Sequence, residues 1–157
     1  GIAKYTAERL LSKFCYEKKI SLIVIRIPRV YGLGDNPRNY GPTKFIDFFK
    51  KKKQLIVWGS GDEKRDYLYI NDLNKIIVKL SKINFIGTIN VCSGKSYSFI
   101  QIIKLIEDIS KKKFPFKRKK RSRPKVDHIM NNNFLIKIIG HYKFSTLKDN
   151  LYYLLNN

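Results

Sequence analysis

Residues 55–72 have the sequence LIVWGSGDEKRDYLYIND, and this stretch decides the fold class. The β-prone run 55–58 ends at a turn rich in Gly, Ser and Asp. Apolar residues alternate after Arg65 and Asp66, and Asn71-Asp72 then provides a helix start. This order of strand propensity, turn residues and capping residues predicts strand–turn–strand–helix. Arg65, at the mouth of the turn, is well placed to hold a phosphate through paired hydrogen bonds.

Helical patterns alternate with short apolar runs along the rest of the chain. Residues 21–27 form a continuous apolar run with β-branched members, which is typical of a strand covered on both faces. Apolar residues recur at helical spacing over 4–18, 43–53, 71–80, 98–109, 134–139 and 145–155. Another short strand is predicted over 88–92, a long polar loop over Arg29–Pro42 and a basic loop over 111–121. The alternation predicts an α/β fold with parallel strand pairing.

The composition limits the classes of protein. A length of 157 residues suits one domain, and no apolar run approaches the roughly 20 residues of a membrane span, so no membrane partner is expected. No signal peptide is visible. Cys15 and Cys92 lie far apart in apolar settings, as small buried side chains in a reducing cytoplasm do. His128 and His141 are isolated, so no metal site is predicted.

The net charge of +21 raises the question of nucleic-acid binding. Most of the charge is lysine spread along helices, and the one dense cluster is 111–113 with 117–121. That cluster has three interpretations: a solvated loop, a surface that steers an anionic ligand, or a nucleic-acid contact. No RNA- or DNA-binding motif accompanies the charge, so no nucleic-acid partner is expected.

Several segments, in order, carry a family resemblance. They are Gly1-Ile2-Ala3-Lys4 with Glu8, Arg26-Ile27-Pro28-Arg29-Val30-Tyr31-Gly32, Trp58-Gly59-Ser60-Gly61 with residues 65–72, Asn90-Val91-Cys92-Ser93-Gly94, Arg123-Pro124, and residues 145–151. With this spacing the chain resembles the C-terminal half of the NAD-dependent epimerase/dehydratase family, extended short-chain dehydrogenases that act on nucleotide sugars. The resemblance covers nearly the whole chain.

The resemblance implies a division of the chain. Residues 1–157 correspond to the C-terminal portion of an epimerase/dehydratase domain, with Rossmann-like elements in 1–34 and 71–95. Residues 35–70 and 96–157 belong mainly to the substrate-binding part. The glycine-rich N-terminal half of the family has no counterpart, so the chain is expected to be a fragment or split-gene product that is inactive alone.

The resemblance also implies a cofactor site. The family's reaction centre is a Tyr-x-x-x-Lys pair on one helix, and Lys4 matches the lysine. The tyrosine would precede Gly1 by one place. Lys4, Pro28 and Arg29 are the expected contacts to NAD or NADP; an ordinary exposed lysine is the alternative for Lys4.

A nucleotide-sugar site is implied by other matches. Arg65 and Arg123 match arginines that hold the diphosphate, and Val57 and Trp58 match positions that line the nucleobase slot. Asp127 is a weaker match to a ribose contact, because Pro124 is followed by Lys-Val-Asp rather than Gly-Asp. The alternatives are a salt bridge of Arg65 with Asp66 or Asp72 and a core position for Trp58.

The function implied is the substrate-binding half of an NAD(P)-dependent nucleotide-sugar epimerase, dehydratase or reductase. Its expected partners are a nucleotide-diphosphate sugar, a separate N-terminal half and, in the complete enzyme, a second copy in a homodimer. A non-catalytic remnant or interaction subunit with the same fold is the alternative.

Overall fold

A computed structural model describes residues 1–35 and 41–157. Helices and strands alternate along these residues. The helices are α1 (Ile2–Glu17), α2 (Pro42–Lys50), α3 (Ile70–Leu80), α4 (Phe99–Ser110), α5 (Asn133–Ile139) and α6 (Leu147–Asn156). The strands are β1 (Ile23–Arg26), β2 (Arg29–Tyr31), β3 (Leu55–Trp58), β4 (Lys64–Tyr69), β5 (Gly87–Asn90), β6 (Ser96–Ser98) and β7 (Phe116–Lys119).

Parallel pairing joins strands that are distant in sequence. β1 pairs with β5, β2 with β4 and β3 with β7, all in parallel, whereas β6 is antiparallel to β4. The prediction of an α/β fold with parallel pairing is therefore confirmed. Helical segments form the connections, as parallel strands require.

The turn after β3 sends the chain into a different sheet. β3 belongs to the β3–β7 pair, and β4 lies at the centre of the β2–β4–β6 sheet. Gly61 has a φ of +74°, and a Cβ there would lie 2.6 Å from Val57 Cγ1 and 2.7 Å from Ile100 Cγ1. A side chain at this position would meet both strain and a clash, so the turn needs glycine.

Two apolar clusters form the core. The larger lies between α2, α4, α6 and the strands β3 and β4, with Phe45, Val57 and Leu151 fully buried. The smaller joins α3, α5 and the β1–β5 pair around Ile76, Ile89 and Leu135. The larger cluster draws mainly on residues assigned to the substrate-binding part, and the smaller one mainly on the Rossmann-like elements. Helix α5 is an exception, because it lies within 96–157 but packs in the smaller cluster. The domain division itself stays a prediction.

Two predicted loops were wrong in part. Arg29–Tyr31, the start of the predicted Arg29–Pro42 loop, is β2, because it pairs in register with Tyr67–Tyr69 of β4. Residues 36–40 of that loop lie outside the described residues. Within the predicted basic loop, Phe116–Lys119 is β7, because its backbone bonds to β3 and its exposed cationic side chains can remain in solvent.

The first helix has the predicted apolar pattern but little cover. Leu10, Leu11 and Phe14 remain mostly exposed, and Cys15 is the buried residue of α1. Helical periodicity thus predicted the element correctly and not its burial. Within residues 1–35 and 41–157, no helix is both long and apolar enough to cross a membrane.

Two predicted helix starts had different outcomes. Ser98 caps α4 as predicted: its hydroxyl accepts from Gln101 N at 3.2 Å, and Gln101 Oε1 accepts from Ser98 N at 2.8 Å. The predicted Asn71-Asp72 start was wrong by one or two residues, because α3 begins at Ile70 and the Asp72 carboxylate bonds to Tyr142 and Ser145 instead.

Candidate functional site

A cleft of about 730 Å³ lies where β3, β4 and the segment after β7 meet. Three residues that the sequence analysis selected, Trp58, Arg65 and Arg123, line it together. The remaining lining residues are Glu63, Arg121, Ser122, Pro124, Val126 and His128. The cleft thus combines an aromatic side chain with three arginines and one glutamate.

The parallel pairing of β3 with β7 brings the aromatic side chain of Trp58 close to the basic segment that follows β7. Trp58 of β3 lies opposite Lys119 of β7, so both strands end at the same edge of their sheet. Gly59 N donates to Lys119 O at 2.8 Å and continues the pairing by one residue. The chain after β7 therefore enters the cleft beside the turn that leads to Arg65.

Asp127 holds the far wall in place. Its Oδ1 accepts from Lys64 N at 2.8 Å, and its Oδ2 lies 3.4 Å from Lys125 Nζ. The Lys64 amide is the first cause of the lowered pKa of Asp127, and Lys125 adds to it. His128 N donates to Lys64 O at 3.0 Å, and Asp66 N donates to His128 O at 3.1 Å. This carboxylate therefore ties the segment after Arg123 to β4; the ribose contact stays a prediction.

Arg65 is the buried cation of the cleft, with 9% of its surface exposed. Its Nη1 donates to Lys64 O at 2.9 Å and to Val126 O, and its Nη2 pairs with Glu63 Oε1. The alternative predicted a salt bridge of Arg65 with Asp66 or Asp72. Arg65 does form a salt bridge, but its partner is Glu63. Asp66 accepts from Ser93 and Gly94 instead, and Asp72 from Tyr142 and Ser145.

Glu63 connects two of the arginines. Its Oε2 lies 3.1 Å from Arg121 Nη1, while its Oε1 bonds to Arg65. Burial by itself would raise the pKa of Glu63, but the bonds and charges of Arg65 and Arg121 outweigh it and lower that pKa. The carboxylate is therefore charged at neutral pH.

The aromatic wall is Trp58, which is half-buried, with Lys119 Nζ 5.1 Å from its ring centroid. The cation–π contact holds one face of the ring next to a positive charge. Val57, the preceding residue, is fully buried in the larger core and is not among the lining residues of the cleft. Alternation along β3 explains this difference, since neighbouring side chains point to opposite faces.

The predicted cofactor residues lie elsewhere. Lys4 is exposed on the first turn of α1 and lines a groove of about 810 Å³ with Glu8, Arg26 and Ile27. Arg26 Nη2 lies 2.7 Å from Glu8 Oε1 and links α1 to the end of β1. Pro28 joins β1 to β2, and Arg29 is the first residue of β2, opposite Tyr67.

Sequence reasoning did not assign three ionisable cleft residues to the site: Glu63, Arg121 and His128. Glu63 stands two places before Arg65, a spacing that puts side chains on one face of an extended chain, so this neighbour could have been found. Arg121 was hidden in a run of basic residues. His128 enters through its bridge to Arg65, which only the tertiary structure shows. Over the described part of the chain, no group of three His, Cys, Asp or Glu side chains could hold a metal ion.

Fold and site together define a class: an α/β protein with parallel strand pairing and an arginine-lined cleft where its strands end. The family model for the NAD dependent epimerase/dehydratase family matches residues 1–92. The chain belongs to the NAD dependent epimerase/dehydratase family.

One curated relative matches nearly the whole chain. The GDP-6-deoxy-D-talose 4-dehydrogenase of Aggregatibacter actinomycetemcomitans is 30% identical over 154 residues, which are 94% of this chain and 51% of that protein. The chain therefore spans about half the length of this curated relative.

Solved structures show the same fold. The UDP-glucose 4-epimerase of Thermotoga maritima, with UDP-glucose, has a TM-score of 0.86 at 23% identity, over 99% of this chain and 52% of that one. The UDP-glucuronic acid 4-epimerase of Bacillus cereus, with UDP-glucuronic acid and NAD, has a TM-score of 0.84 at 23% identity, over 99% of this chain and 51% of that one.

Proposed function

We propose that the chain is the nucleotide-sugar-binding part of an NAD(P)-dependent enzyme that epimerises, dehydrates or reduces the sugar. The observation that carries the proposal is the cleft that unites Trp58, Arg65 and Arg123. Guanidinium groups bind phosphate through charge-assisted hydrogen bonds, and an aromatic ring offers a surface to a base or sugar. A nucleoside diphosphate carries both of these chemical features.

The charges around the cleft support the same ligand class. Arg121 and Arg123 stand beside Arg65, and Lys119 and Lys125 lie close by. Each charge-assisted hydrogen bond to a phosphate contributes about 1.5–3 kcal/mol, and the surplus of positive charge raises the local concentration of anions. The basic cluster of residues 111–113 and 117–121 has three interpretations, and this proposal adopts the one in which it steers an anionic ligand.

Lys4, Pro28 and Arg29 are proposed to contact one side of a nicotinamide cofactor. Lys4 lines its groove together with the carboxyl end of β1, and ligands of open parallel sheets bind at the carboxyl ends of strands. Lys4 would contact the cofactor in this groove, and Pro28 and Arg29, which follow its last lining residue Ile27 along the chain, would contact it from beside the groove. NAD or NADP supplies hydride transfer when bound. The resemblance makes Lys4 the partner of a tyrosine that is not among the 157 residues. We therefore infer that turnover requires further residues, on the same polypeptide or on a second one.

The compartment and assembly in this proposal follow from the same residues. Cys15 and Cys92 are free and buried, and the proposed location is the cytoplasm, where thiols are kept reduced. The exposed apolar side of α1 supports contact with a further polypeptide, whether a cofactor-binding half or a second copy.

Calorimetric titration of the 157-residue chain with UDP, GDP and dTDP tests the proposal. We expect at least one of them to bind, and Arg65→Ala and Arg123→Ala each to weaken it at least tenfold. Arg9→Ala is the matched control, because Arg9 is exposed on α1 outside the cleft residues, and its loss should change affinity less than twofold. Arg123 is itself exposed, so its removal leaves packing intact.

The outcomes separate binding from folding. If thermal unfolding shows that Arg65→Ala is unfolded, Arg123→Ala still decides the question. Equal affinity in wild type, Arg123→Ala and Arg9→Ala would place the nucleotide elsewhere and overturn the proposal.

A further inference from the structure

A carboxylate of the chain itself pairs with two of the arginines of the cleft. Glu63 Oε1 bonds to Arg65 Nη2, and Glu63 Oε2 lies 3.1 Å from Arg121 Nη1. The Glu63 side chain is 14% exposed, so it lies inside the cleft wall rather than in solvent. One carboxylate with two oxygens on two guanidinium groups has the arrangement that a phosphoryl group would adopt.

The donors of Arg65 leave few places for an incoming anion. Its Nη1 is directed to the carbonyl oxygens of Lys64 and Val126, and its Nη2 to Glu63. Its Nε is buried and has no hydrogen-bond partner among the residues that the structure describes. An anion at the Glu63 side of Arg65 therefore meets the carboxylate of Glu63 on Nη2, and the donors without a partner among the described residues are Nε, which is buried, and the second N–H of Nη2.

We propose that Glu63 is a resident anion that competes with the nucleoside diphosphate for Arg65 and Arg121. This inference rests on the function proposed above and adds a residue that sets the affinity of the site. Glu63 offsets one of the two guanidinium charges, and the carboxylate of Asp62, 52% exposed, lies 3.7 Å from Arg121 Nη2 at the edge of the same group. The carboxylate moves away from the guanidinium groups when the diphosphate binds, and the two positive charges then face the ligand.

The consequence is selectivity for ligands of high negative charge. A singly charged anion exchanges one carboxylate contact for another and gains little. A diphosphate brings more charge and more acceptor oxygens, and it can also reach Arg123 in the same cleft. Glu63 thus keeps the buried Arg65 paired before the ligand arrives, at the expense of affinity.

Titration with inorganic pyrophosphate and with UDP tests the inference on the 157-residue chain. Glu63→Gln keeps the side-chain length and removes the charge, so we expect it to bind both probes at least fivefold more tightly than wild type. Asp108→Asn is the matched control, because it removes the same charge at an exposed position of α4. We expect that control to change affinity less than twofold.

The direction of the change excludes a merely structural role. If Glu63 only positioned Arg65 and Arg121, Glu63→Gln would bind the probes more weakly. Unchanged or weaker binding by a folded Glu63→Gln, with measurable wild-type binding, overturns this inference and leaves the proposed function standing. Absence of binding by both wild type and Glu63→Gln overturns both.

A measurement on the wild-type chain covers the case in which the variant does not fold. Carbon NMR of labelled glutamate carboxyls should show the Glu63 resonance shift as pyrophosphate saturates the chain, since its guanidinium partners change. Glu17, exposed at the end of α1, is the internal control and should not shift. A stationary Glu63 resonance at saturation contradicts the displacement.

Discussion

The side-chain amide of Asn150, in α6, donates a 2.9 Å hydrogen bond to the hydroxyl oxygen of Tyr31, at the end of β2. The two residues are 119 positions apart in sequence, and both are buried. The same amide also donates to Ser145 Oγ at 2.8 Å. The last helix is therefore tied to the strand that begins with Arg29, one of the proposed cofactor contacts.

Removal of the Tyr31 hydroxyl should destabilise the fold by a small, measurable amount. Tyr31→Phe leaves the buried Asn150 amide short of one acceptor, and we expect the free energy of unfolding in urea to fall by about 1 kcal/mol. A double-mutant cycle with Asn150→Ala should give a coupling energy of similar size. Tyr152→Phe is the control, since that ring is 61% exposed on the same helix. Equal effects of the two tyrosine variants would exclude a contribution from this bond.

Asp72 should contribute more, because three groups depend on its carboxylate. Tyr142 Oη donates to its Oδ1 at 2.8 Å, and Ser145 N and Oγ donate to its Oδ2. Asp72→Ala leaves these donors without their acceptor inside the protein, so we expect a loss of about 2–4 kcal/mol in urea unfolding. Asp47→Ala breaks only the i,i+4 pair with Lys51, which should be worth less than about 0.5 kcal/mol. Similar losses in both variants would contradict this assignment.

Local signals predicted elements well, and non-local pairing did not show in the sequence. The Ser98–Gln101 capping box lies within four residues, and the start of α4 was predicted correctly. β2, β6 and β7 have only three or four residues each, and each exists because a distant strand offers it backbone partners. Charged residues in β7 argued for a loop, and pairing with β3 overrode that preference.

The candidate site divides in the same way. Trp58, Arg65 and Arg123 were found because a family pattern fixes their order along the chain, and the structure brings them into one cleft. Arg121 was not found, because its importance comes from an ion pair with Glu63 that spans 58 positions, whereas Glu63 lies only two positions from Arg65 and was overlooked. Val57 was expected beside Trp58, but strand alternation turns it into the core.

Asp66 should make the stability of the protein depend on pH. Its carboxylate, on β4, accepts from Ser93 Oγ and Gly94 N, both at 2.9 Å. Burial raises its pKa, and these hydrogen bonds offset the rise only in part. Between the ordinary value of 3.8 and the raised pKa, the folded chain keeps a proton that the unfolded chain has released. The contribution of Asp66 to the free energy of unfolding therefore falls as pH rises through that window.

Urea unfolding of wild type and Asp66→Asn at several pH values between about 4 and 7 measures this effect. The difference, wild type minus variant, should decrease as the pH increases, because the amide does not titrate. All other groups are common to the two proteins and cancel in the difference. An increase with pH would mean that the hydrogen bonds from Ser93 and Gly94 outweigh burial and lower the pKa of Asp66, which is the opposite of the expected direction.

Trp58 should report ligand binding directly. It is the single tryptophan of the chain, it lines the cleft, and Lys119 Nζ lies 5.1 Å from its ring centroid. A nucleotide in the cleft changes the surroundings of the ring, so UDP should alter its emission with a saturation curve that gives the calorimetric Kd. Inorganic pyrophosphate lacks a base and a sugar, so it should compete with UDP and alter the emission less.

Lys119→Met supplies the control for this measurement. It removes the cation over the ring, which should shift the emission of the free protein, and it leaves Arg65, Arg121 and Arg123 in place. UDP should still alter the emission of this variant, with an affinity within about fivefold of wild type, because Lys119, unlike Arg123, is not among the lining residues of the cleft and its exposed charge is screened by solvent. Calorimetric binding of UDP without any change in emission would show that the base lies away from Trp58, and the aromatic wall would then have no part in recognition.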